Sequence, residues 1–189
     1  MNYEKETKNL LKQFMSERGL KLWQILERQI SPIGDRYSSS SGKYHKKEGG
    51  RVPSISEHVF EMLFACSKLF RVFGIDSKTE DSDVLFLAIL LHDSFKYGLK
   101  PEDSDHTTSE HDRIAANLIL ESKKIFCKLL NEEQFSLLEE SIRFHMGRWS
   151  SDAPNKDSFN WKNYDPKSFF IHMLDMFSSR NLIKIPQGD

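Results

Sequence analysis

An all-α bundle is the fold this sequence predicts, and three observations predict it. Nearly every apolar segment repeats with helical spacing rather than strict alternation. No strand–helix–strand alternation and no internal repeat are visible. The run VLFLAILL at 84–91 is apolar on all sides, as a helix buried at the centre of a bundle would be.

Taken in order, residues 4–17 and 20–30 predict two helices parted at Gly19, with Leu10, Leu11, Phe14, Leu22, Trp23, Leu26 and Ile30 turned inward. Residues 31–53 hold Pro32, Gly34, a serine run, Gly42, Gly49, Gly50 and Pro53, which predicts a long loop. A helix is expected from Ser54 to about Phe73. The next starts after the acidic cap TEDSD and carries the apolar run into His92 and Asp93. A polar loop over 94–108 precedes helices from about Ser109 to Ile125 and from about Asn131 to Met146. Residues 147–165 are polar, aromatic and loop-like. Pro166, a favoured first-turn residue, opens a last helix ending near Arg180.

Composition narrows the function. A chain of 189 residues with 38% hydrophobic content can bury a real core as one domain. The formal net charge of −1 gives no global field for a nucleic-acid or membrane surface, so any phosphate binding must be local. Cys66 and Cys127 both sit among apolar helical residues and read as reduced core thiols. The N-terminal MNYEKETKNLLKQF lacks an apolar signal core, and no run of ~18 apolar residues occurs. The expectation is a cytoplasmic protein.

The histidines carry the functional signal. His58 shares a stripe with Ile55, Met62, Ala65 and Leu69, and His92 follows Leu85, Ala88 and Ile89. His111 leads Ile114, Ala115 and Leu118, while His145 ends the stripe of Phe135, Leu138 and Ile142. All four therefore point inward from four different helices. Asp93 and Asp175, the latter in FFIHMLDMF, are inward carboxylates that would cost several kcal/mol without partners. Any one of these groups is explained by a satisfied core histidine or a buried ion pair. Together they predict one or two divalent ions, since imidazole and carboxylate suit Mn, Fe, Co, Ni or Zn, with Mg also left open.

The ordered set His58, His92–Asp93, His111, His145 and Asp175 resembles the HD-domain superfamily of metal-dependent phosphohydrolases, over about residues 43–180. KYHKKEGGRVPSISEH is similar to an approach segment of YhaM-type members, although His45 is followed by Lys46 and more residues separate Gly50 from His58. MLDMFSSR is similar to the ending of phage-encoded members. The resemblance implies a compact helical bundle of the HD type with about six to seven helices, in which residues 1–30 pack on a metal-binding core over 43–180. It implies that His58, His92, Asp93 and Asp175 hold one metal and that Asp93 bridges to a second held by His111 and His145. It also implies hydrolysis of a phosphoester or phosphoanhydride by metal-activated water, with Asp93 and Lys96 as the catalytic pair.

Around that core, Lys96 is expected to clamp a phosphate oxygen, and His45 to contact the substrate because it matches the family-like segment. Arg148 and Trp149, directly after His145, are of the right types to pair a phosphate and stack a base. His172, one turn before Asp175, is expected to orient that carboxylate, and His106 to be exposed. The loops 31–53, 94–108 and 147–165 are expected to form the substrate mouth. Near-neutral charge favours a small nucleotide or short oligonucleotide over long nucleic acid. Two alternatives stand beside this reading: a di-iron oxygenase of the same superfamily, and a non-catalytic HD module binding a nucleotide or a protein partner.

Overall fold

The structure, a computed structural model, describes residues 1–28, 34–39, 47–100, 104–155 and 157–185. Among these residues eight α-helices form and no strand does: α1 (Tyr3–Phe14), α2 (Glu17–Glu27), α3 (Ile55–Leu69), α4 (Glu80–Leu91), α5 (His111–Glu121), α6 (Lys123–Phe126), α7 (Glu132–Arg143) and α8 (Pro166–Ser179). The count slightly exceeds the six or seven expected, because the helix predicted over 109–125 splits at Ser122 into α5 and α6.

The central helix is the one its composition demands. Every residue of α4 from Ser82 to Leu91 is buried, and α2, α3, α7 and α8 all pack on it. Full burial of each large aliphatic or phenyl side chain there contributes about 1.5–3 kcal/mol. A capping box between Thr79 and Ser82 starts the helix, satisfying backbone N–H groups that have no partner within it. Asn131 and Gln134 start α7 in the same way. On the outside, α1 lies on α3 and α5 on α7.

The first break falls elsewhere than predicted. Gly19 lies inside α2, and the chain turns instead at Met15 and Ser16. Ser16 accepts the Gly19 N–H and donates its own N–H and hydroxyl to the buried Asp83 carboxylate of α4. A Cβ on Gly19 would sit 2.3 Å from Asp83 Oδ1, so glycine here permits close helix packing. Leu11, Leu22 and Leu26 are buried as expected, Leu10, Phe14 and Trp23 are partly so, and Ile30 lies outside the described residues. One further correction concerns sulfur. Cys66 is buried, but Cys127 is exposed at the end of the short α6. No helix among the described residues is long and apolar enough to cross a membrane.

Candidate metal centre

Four helix ends converge on one point. His58 comes from the first turn of α3, His92 and Asp93 from the C-terminal end of α4, His111 from the start of α5 and His145 from just beyond α7. Asp175 joins them from α8. The four histidines and Asp93 are each at most 3% exposed. The Asp175 side chain is 17% exposed and faces the mouth.

The ring nitrogens are ordered in a common sense. His92 donates Nδ1–H to the Ile89 carbonyl at 2.7 Å, His145 to that of Ile142 at 2.7 Å and His111 to that of Thr108 at 2.9 Å. His58 Nδ1 lies 2.8 Å from Ser178 Oγ, whose own proton goes to the Glu61 carboxylate at 2.7 Å, so His58 is the donor in that pair. With Nδ1 committed, each neutral ring offers Nε2 as a lone pair. Yet His58 Nε2 faces His92 Nε2 at 3.2 Å, and His111 Nε2 faces His145 Nε2 at 3.1 Å. Acceptor meets acceptor twice. Such an arrangement is repulsive unless a proton or a metal ion lies between the lone pairs.

The donor set fits that cation. Nitrogen–metal bonds of about 2.0–2.1 Å place neighbouring ligand nitrogens about 3.0–3.4 Å apart, the range found here. Among the described residues the potential ligand atoms fall into two groups, His58–His92–Asp93 and Asp93–His111–His145. Asp93 Oδ2 lies 3.8 and 3.6 Å from Nε2 of His58 and His92, and Oδ1 lies 3.1 and 3.8 Å from those of His111 and His145. One carboxylate thus faces both groups with separate oxygens. Asp175 Oδ1 lies 3.2 Å from His58 Nε2, so a second carboxylate borders the first group at that ligand.

Protonation states agree with the geometry. Burial pushes the affinity of His92 and His145 for a proton below the usual imidazole range, well below it for His145. Burial pushes the Asp93 carboxyl up, but Lys96 and the surrounding imidazoles outweigh it and hold it well below the carboxylate range. Burial pushes Asp175 up as well, but His58 beside it, with His145 and His92 behind, outweighs burial and holds the carboxyl below its usual range. Neutral His92 and His145 beside ionised Asp93 and Asp175 suit a divalent ion.

A cavity of about 530 Å³ opens onto His111 and Asp175. Each of the three loops expected at the mouth contributes to its wall, through Ser38 and Ser39, through Lys96 and Thr108, and through Trp149. Ser38 Oγ is buried there with no partner among the described residues. Lys96 also binds both Asp93 oxygens at 2.9 Å. Trp149 is 54% exposed on a short 3-10 turn, and the Arg148 guanidinium stacks on its ring at 4.6 Å from the centre.

Several residues sit differently from expectation. His172 donates Nδ1–H to the His145 carbonyl at 2.6 Å, so the atom it steadies is on the His145 backbone, not on Asp175. Gly147, at φ +62°, makes room for that ring, since a Cβ would lie 2.9 Å from it. Tyr97 anchors the neighbouring loop, donating to the Tyr37 carbonyl beneath the Arg36 guanidinium. His106 is exposed, and His45 lies outside the described residues. Arg180, to which the sequence assigned no substrate role, lines the cavity without an ion-pair partner among the described residues. Its signal was its place one turn beyond Asp175.

Comparison with known families matches the HD domain to residues 55–172. Curated proteins and solved structures returned no match. The match spans more than half the chain and ends just before Asp175, whose carboxylate lies 3.2 Å from His58 Nε2. The chain belongs to the HD domain family.

Proposed function

We propose that this protein is a divalent-metal-dependent phosphohydrolase that cleaves a phosphoester or phosphoanhydride bond in a nucleotide or short oligonucleotide. The observation that carries the reading is the double confrontation of Nε2 lone pairs around one shared carboxylate. His58, His92, Asp93 and Asp175 would hold one ion, and Asp93, His111 and His145 a second. Such ions supply hydroxide near neutral pH and neutralise charge on phosphoryl oxygens.

The chain's own groups do the rest. Lys96 holds the Asp93 carboxylate between the two histidine pairs, and its third N–H is available to a phosphoryl oxygen from the cavity side. Arg180 offers a second cation on the same wall, unpaired among the described residues. Trp149 presents an exposed ring on which a base can stack. Ser38 holds a buried hydroxyl with no protein partner among the described residues, suited to a ligand oxygen or nitrogen. The cavity volume falls among those of small-molecule sites, about 300–1,000 Å³, which favours a small substrate over a long polyanion.

The test is a metal-supplemented screen against nucleoside mono-, di- and triphosphates, cyclic nucleotides and short RNA and DNA, with products identified. Turnover that requires added metal and disappears in Asp93→Ala supports the proposal. Activity that survives in Asp93→Ala refutes the catalytic assignment.

A further inference from the structure

One buried polar chain leads away from the metal centre, and nothing in the reaction uses it. Glu61 lies one turn after His58 on α3 and is 5% exposed; Ser178, near the end of α8, is 3% exposed. A carboxylate this deep needs a reason, because its desolvation costs several kcal/mol. Among the described residues it has two partners. Lys47 pairs with one oxygen and the Ser178 hydroxyl donates to the other at 2.7 Å.

The turn that delivers Lys47 is built for it. Lys47 donates its N–H to the Arg51 carbonyl at 2.8 Å and accepts from Gly50 N–H at 3.0 Å. Gly49 and Gly50 close this turn at φ +76° and +82°, where L side chains are strained. The glycine pair thus serves to present Lys47 to Glu61.

We propose that Lys47, Glu61 and Ser178 are positioning residues that set the affinity of the His58 ion position. This inference rests on the metal-centre reading above. The ionised Glu61 takes the serine proton, which obliges Ser178 Oγ to accept from His58 Nδ1–H and fixes Nε2 as the ligand atom. Negative charge two hydrogen bonds away makes that imidazole a better donor to a cation. The other three histidines lean on neutral backbone carbonyls. Asp175 Oδ1 also lies 3.2 Å from His58 Nε2, within reach of an ion held there, which favours the His58 position as the tighter of the two.

Full-length metal-stripped protein is titrated with Mn²⁺ alone by calorimetry, as wild type, Ser178→Ala and Glu61→Gln, with the melting temperature of each metal-free form measured alongside. The tightest binding step should weaken roughly 10- to 100-fold in both variants. A purely structural staple between α3 and α8 would lower the metal-free melting temperature and leave that step unchanged. A tightest step within about threefold of wild type in either folded variant overturns the proposal. Should Ser178→Ala not fold, Glu61→Gln alone decides between the two outcomes, since it keeps the shape and removes only the charge. Wild-type protein that takes up no Mn²⁺ overturns the metal centre itself, a different result from intact binding that ignores the chain.

Discussion

Asp93→Asn should destabilise the metal-free protein, and Lys96→Met should repair it. Asp93 is 1% and Lys96 12% exposed at the side chain, and the ammonium touches both carboxylate oxygens at 2.9 Å. Neutralising the carboxylate strands a largely buried cation, which costs about 3–5 kcal/mol when one member of such a pair is removed. Lys96 borders the cavity, so water offsets part of that and the low end, about 3 kcal/mol, is expected. For a chain of this size that lowers the melting temperature by about 6–12 °C. Asp93→Asn/Lys96→Met removes both charges and should regain most of the loss, a coupling of about 2–3 kcal/mol. Circular dichroism of chelated protein, melted and titrated with urea, measures all four corners of the cycle. Neither variant should bind metal, which separates recovery of the fold from recovery of the site. An Asp93→Asn protein as stable as wild type, or a double variant no better than the single, would refute the reasoning.

Other perturbations have equally definite outcomes. His92 and His145 bind protons less readily folded than unfolded, so the unfolded chain holds more protons below about pH 6.5. Stability of chelated protein should therefore rise with pH up to about 6.5 and fall on acidification; a flat melting temperature from pH 5 to 7.5 would contradict this. Gly147→Ala meets both a positive φ, worth about 1–2 kcal/mol, and the His172 ring; urea unfolding should show at least that loss. Arg180→Gln and Trp149→Ala should each raise KM, roughly 10-fold or more for the arginine if it binds a phosphate, while equilibrium dialysis shows unchanged metal uptake.

The helices were legible because burial writes its own period. The α4 run is apolar on every side since every side is covered, and the acidic cap before α4 and Pro166 at the head of α8 marked two helix starts. Gly19 misled because glycine signals both a break and a close approach, and only the neighbour across the interface, Asp83, decides between them. Cys127 misled because its apolar flanks belong to a four-residue helix at the surface. At the centre, the inward phase of four histidines could be read one helix at a time. What the His58 Nδ1 bonds to could not, since Ser178 lies 120 positions away. Ser38 was hidden for the same reason, and the place of Arg180 beyond Asp175 gave it no role until the cavity was seen, since lining depends on how three loops and a helix end meet.

The central claim is that the four lone pairs and two carboxylates hold a divalent cation. Equilibrium dialysis of wild-type and His92→Ala protein against Mn²⁺, Zn²⁺ or Fe²⁺, with elemental counting of bound ion per chain, tests it most directly. One or two equivalents in the wild type and a clear loss in the variant is the predicted result. Wild type with no ion above the buffer, or His92→Ala loaded to the wild-type level, would contradict it.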